Sequence, residues 1–116
     1  MMRKNEYNSL EEFVSQYTGV WGPSDGHWFG LDFAYHGREY RFNTGSMYNK
    51  NDTVLPDGRT ALFGIYEKLV EPHDGKEYVL LGEYAKMDDV LTSTVIANMP
   101  FRSVIMADET EILGQD

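Results

Sequence analysis

The chain has 116 residues, 41% of them hydrophobic and 14% aromatic, a single-domain length and composition that can build a core and exclude global disorder. It has no cysteine, which excludes disulfides, thiolate catalysis and cysteine-ligated zinc and fits a reducing, cytoplasmic setting. The net charge of −9 argues against direct nucleic-acid binding, no apolar run is long enough for a membrane span, and the N-terminus has no apolar signal segment.

Ser9-Leu10-Glu11-Glu12 reads as a capping box. Leu10, Phe13, Val14 and Tyr17 follow at helical spacing, predicting a short amphipathic helix from Ser9 to Tyr17 that Thr18-Gly19 ends. The preceding residues, 1–8, are expected to fray. Val20 to His27 is rich in turn formers, with Trp21 read as an anchor to the core.

Trp28 to Phe42 has the pattern of a β-hairpin. Phe29, Leu31, Phe33 and Tyr35 alternate with smaller or polar residues, as do Tyr40 and Phe42 after the turn at His36-Gly37. A two-residue loop sets Phe33 opposite Tyr40, Leu31 opposite Phe42 and Asp32 opposite Arg41. The apolar pairs then share one face and the ion pair takes the other.

Thr44 to Thr60 is a long polar stretch, with Thr53 to Leu55 a short candidate strand entering a turn at Asp57-Gly58. Met47 and Tyr48 are its candidate contact residues. Ala61 to Val70 and Glu77 to Tyr84 predict a second hairpin through Pro72-His73-Asp74-Gly75. Its register stays open. A two- or four-residue loop pairs Leu69 with Leu80, and a three-residue loop pairs Leu69 with Val79. Both faces are partly apolar either way, so these are central strands or one face is left for a partner.

Met87-Asp88-Asp89 opens a second, short helix with Asp88 as its cap and Asp89 on the positive end of the dipole. Val90, Leu91, Thr94 and Val95 form its face, and Asn98-Met99-Pro100 breaks it. Phe101 to Ala107 is read as a further helical turn with Pro100 in its first turn, a strand being the alternative. Ile112 and Leu113 add an edge strand, and residues 114–116 are expected to fray. The fold class is therefore α+β, one domain over 1–116. An antiparallel sheet of four to five strands is built from hairpins, with an N-terminal helix and a short C-terminal helix packed on it.

Few residues carry the signature of catalysis. Ser24, Asp25 and His27 lie too close in sequence for a triad and suit a turn. His27, His36 and His73 lack metal-ligand spacing. Asp32 and Glu39 could pair for glycoside chemistry, but Arg41 opposite Asp32 makes an ion pair the simpler reading. No catalytic, cofactor or metal residue is assigned, which leaves a small hydrolase or metal enzyme centred on Asp25 and His27 as the least favoured function.

The acidity is uneven. Residues 1–66 hold eight acids and six bases, and residues 67–116 hold eleven and four. In size and charge the chain resembles the small acidic inhibitors of phages and mobile elements, notably anti-CRISPR proteins. The resemblance extends over the whole chain and carries no motif. It implies a non-catalytic inhibitor whose carboxylates mimic nucleic acid in the groove of a basic partner such as a Cas nuclease. The carboxylates for that role are Glu83, Asp88, Asp89, Asp108, Glu109, Glu111 and Asp116. The alternative is a small adaptor or homodimer that uses an apolar sheet face.

Overall fold

A computed structural model of the chain describes residues 5, 7–18, 30–44, 55, 58 and 61–115. Trp21, Ser24, Asp25, His27, Trp28, Met47, Tyr48, Thr53 and Asp116 lie outside the described residues.

Helix α1 spans Leu10–Thr18. The Ser9 hydroxyl oxygen accepts from the Glu12 amide at 3.2 Å, and the Glu12 carboxylate accepts from the Asn8 amide at 3.3 Å. The capping box thus forms with Glu12 reaching one residue further back than expected. Phe13 and Tyr17 bury completely, one turn apart on one face.

Strands β1 (Gly30–Tyr35) and β2 (Arg38–Thr44) form the hairpin in the expected register, Leu31 to Phe42, Asp32 to Arg41 and Phe33 to Tyr40. His36 (φ 51°) and Gly37 (φ 79°) are both left-handed, as a two-residue turn matching the strand twist requires. On the face away from the core, Arg41 Nη1 donates to Asp32 at 3.1 Å and Arg41 also donates to Asn43. A Cβ on Gly30 would fall 2.6 Å from Arg41 Cζ, so the glycine makes room for that guanidinium.

Strands β3 (Phe63–His73) and β4 (Lys76–Tyr84) run longer than expected and turn at Asp74-Gly75, both with positive φ. Pro72 and His73 belong to β3, not to the loop. The register matches neither option drawn from the sequence. His73 pairs with Lys76, but the body pairs Lys68 with Tyr78, Glu67 with Val79 and Tyr66 with Leu80. Leu69 to Pro72 therefore bulge out of the ladder, where proline has no amide to donate. Val70 is fully exposed at this bulge. A second irregularity falls at Leu81, between the Leu80 and Gly82 pairings.

Helix α2 spans Met87–Ser93. Its cap is Lys86, not Asp88, and no side chain caps it. Met87 buries with Val90 and Leu91, which draws the helix start back and leaves Asp88 and Asp89 in the first turn, still favourable to the dipole. Thr94 ends the helix as its C-cap, and Val95, assigned to the helical face from sequence, lies instead in a two-residue strand, β5 (Val95–Ile96). It pairs with β6 (Met99–Pro100) across a turn of Ala97 (φ 51°) and Asn98 (φ 67°). Helix α3 (Phe101–Met106) follows with Pro100 as its N-cap. Its first amide donates to the Thr94 carbonyl at 2.9 Å.

The C-terminal end of α3 is closed by side chains. Asn5 Nδ2 donates to the carbonyls of Ile105 and Ala107, and the buried Thr110 hydroxyl donates to that of Val104. Asn5 and Tyr7, in a stretch expected to fray, are buried. Strand β7 (Glu111–Gln115) then pairs with β1, so Gly114 and Gln115 are ladder residues.

The sheet has five antiparallel strands in the order β4-β3-β2-β1-β7. One face carries Leu31, Phe33, Tyr40, Phe42, Phe63 and Ile65 into a core closed by the helices. Phe42 is its hub, with ring centroids 5.0 Å from Tyr17, 5.3 Å from Phe13, 5.8 Å from Phe101 and 5.9 Å from Phe63. The fold is α+β, a five-stranded antiparallel sheet with an N-terminal helix and short C-terminal helices. Among the described residues no helix is long and apolar enough to cross a membrane.

Candidate protein-binding surface

The acidic residues singled out by sequence separate into two groups. Glu83 lies half-buried at the C-terminal end of β4, and Asp88 and Asp89 sit in the first turn of α2, which packs on β3 and β4. Asp108 and Glu109 are exposed in the turn between α3 and β7, and Glu111 is exposed at the start of β7. β4 and β7 are opposite edges of the sheet, about 19 Å apart at four strand spacings. The two groups also lie at opposite ends of the strands, so they are separate patches and not one cluster.

The β7 group gains a member that sequence missed. Glu111 pairs across with Ala34, and Ala34 pairs with Glu39 on its other side. Glu111 and Glu39 therefore point to the same face, two strand spacings or about 10 Å apart, over a small alanine. Both are exposed. Their adjacency depends on β7 lying beside β1, a long-range pairing that local spacing does not show. At the same corner His36 stacks on Tyr35, ring centroids 3.9 Å apart, and its Nε2 lies 3.3 Å from Glu109.

Two hollows flank this corner. The smaller, about 140 Å³, opens on the outer face among Asp32, Glu39, Tyr40, Lys68, Tyr78 and Leu113. Burial, then the Asp32 carboxylate, pushes the Tyr78 hydroxyl above its ordinary pKa. The larger is a cleft of about 280 Å³ between the β1–β2 turn and the β5–β6 hairpin, lined by His36, Arg38, Tyr40, Glu67, Leu81, Val95, Ile96 and Ala97. Arg38 bridges to Glu67 at 3.2 Å. Burial foremost, then Glu67, raises the Tyr40 pKa, so its phenol stays protonated.

Among the described residues no three His, Asp or Glu side chains gather to hold a metal ion. Asp32, considered with Glu39 as a carboxylate pair, is engaged by Arg41. No protein-family model, curated protein or solved structure matches the chain.

Proposed function

We propose that the protein is a non-catalytic, protein-binding inhibitor whose acidic corner docks on a basic, nucleic-acid-handling partner. The observation that carries this reading is the gathering of Glu39, Asp108, Glu109 and Glu111, all exposed, at one corner of a rigid sheet. Carboxylates on such a frame offer a basic groove the charge it otherwise takes from phosphates, at little ordering cost. The overall charge of −9 adds long-range attraction. By this reading the chain acts as anti-CRISPR proteins of phages and mobile elements do, in the cytoplasm, on a partner such as a Cas nuclease. Glu83, Asp88 and Asp89, on the far edge, contribute to steering only.

The experiment is binding to a panel of Cas nucleases, with and without guide RNA, at rising salt. Binding should weaken with salt and compete with nucleic acid. The variant Glu39→Lys/Asp108→Lys/Glu109→Lys/Glu111→Lys should lose at least about tenfold in affinity, since each close charge pair is worth roughly 1.5 kcal/mol or more. Asp88→Lys/Asp89→Lys should bind almost as the parent does. Equal binding by the corner variant would sink the reading.

A second reading, an adaptor or homodimer, draws on the exposed Val70, Val79, Leu80 and Leu81 along β3 and β4. Light scattering over a concentration series tests it. A mass fixed at that of the monomer removes the homodimer.

A further inference from the structure

We infer that the cleft between the β1–β2 turn and the β5–β6 hairpin receives a tyrosine side chain of the protein partner. This rests on the reading of the chain as a protein-binding domain and names the anchor that reading lacks.

The lining chooses among occupants. Its polar side chains are already engaged, Arg38 with Glu67 at 3.2 Å and the His36 Nε2 with Glu109 at 3.3 Å. A charged occupant would find no unmatched counterion there. The lining polar group left over is the Tyr40 hydroxyl. Tyr40 is 5% exposed, and its hydroxyl makes no hydrogen bond to another described residue. No side-chain oxygen among the described residues is both fully buried and unpaired, so this hydroxyl meets solvent, and the charges that act on it, Glu67 and Arg38, are those of the cleft. The opposing wall is aliphatic: Leu81, Ile96, Ala97 and Val95, the last 61% exposed. The volume, about 280 Å³, is about twice the roughly 150 Å³ that holds a benzene ring.

A phenol meets all of these terms. Its ring covers Val95 and Leu81. Its oxygen accepts from Tyr40, which burial keeps protonated, and its own proton stays with the water at the cleft mouth. Phenylalanine cannot accept that bond, tryptophan only donates, and lysine or arginine brings a cation beside Arg38. The position also suits an anchor. His36 lines the cleft and holds Glu109, so the acidic corner forms the polar rim of an apolar pocket.

The test is an NMR titration of the protein with N-acetyl-tyrosinamide, N-acetyl-phenylalaninamide and N-acetyl-lysinamide. The tyrosine probe should give saturable shifts at Leu81, Ile96 and Ala97 and bind roughly two- to tenfold tighter than the phenylalanine probe, the worth of one hydrogen bond. The lysine probe should give none. Tyr40→Phe should erase the preference for tyrosine yet keep phenyl binding. Val95→Ala, at an exposed position, should weaken both aromatic probes. No saturable shift at the cleft, or a preference that survives Tyr40→Phe, overturns the inference. The aromatic probes are neutral, so their affinity should not change with salt or in Asp108→Lys/Glu111→Lys. Failure of the corner to bind basic proteins would thus remove the proposed function without moving these titrations.

Discussion

Asn5 donates its side-chain amide to the Ile105 carbonyl at 2.6 Å, joining two residues one hundred positions apart in sequence. The same nitrogen lies 2.9 Å from the Ala107 carbonyl, and Asn5 Oδ1 accepts from the Tyr7 amide. One side chain thus closes α3 and pins the N-terminal segment. Asn5→Ala takes the side-chain donor from the buried Ile105 carbonyl, while the Ala107 carbonyl keeps the Thr110 amide, and should cost about 1–3 kcal/mol in denaturant unfolding. Asn5→Asp, which keeps the shape but supplies no donor, should be no better. Stability equal to the parent in either variant would show that the α3 carbonyls find water instead.

Phe42 touches four rings drawn from α1, α3 and the neighbouring strand β3. Its truncation to alanine should cost about 3–5 kcal/mol, a large share of the stability of a small domain. The conservative Phe42→Leu should cost less. Chemical unfolding of both variants checks the order.

Alkaline pH should destabilise the fold through Tyr40 and Tyr78. Both hydroxyls have pKa values raised above the ordinary 10.0, chiefly by burial. The sign follows from linkage. Below pH 10 both states hold the protons and the contribution is whole. As pH rises from 10 through the folded pKa values, the unfolded chain ionises first and stability falls. Urea midpoints measured across that window should drop, and Tyr40→Phe should flatten the drop.

Ala97 takes φ 51° in the β5–β6 turn, a conformation that costs an L-residue roughly 1–2 kcal/mol and glycine little. Ala97→Gly should therefore raise stability, by less than about 1 kcal/mol once the added freedom of the unfolded chain is counted. A lowered midpoint would mean that the methyl group contributes more by packing than it costs by strain.

The sequence was most legible where two signals agreed. In the first hairpin, alternation and the His36-Gly37 turn demanded one register, and the strands take it. In the second, both faces were partly apolar, so the pattern did not choose a register, and the ladder shifts where residues Leu69 to Pro72 leave it. Asp88 looked like a cap by residue type, but burial of Met87 outweighed it. The β5–β6 hairpin escaped notice because two-residue strands show no alternation. Asn98, tolerant of positive φ, was its one local signal. Of the candidate surface, Asp108, Glu109 and Glu111 were visible as a run. Glu39 and the Tyr40 hydroxyl were not, since each matters through a strand or hairpin distant in sequence.

The irregular seam between β3 and β4 bears on the exposed edge of the sheet. β4 is a nine-residue edge carrying Val79, Leu80 and Leu81 in succession, the sort of strand that invites a neighbour to zip on. The surplus residue at Leu81 breaks the even spacing of this rim, which obstructs continuation of the ladder along its whole length. Deleting Leu81 would even the rim, and the sign of that change would be a stronger tendency to form fibres than the parent has.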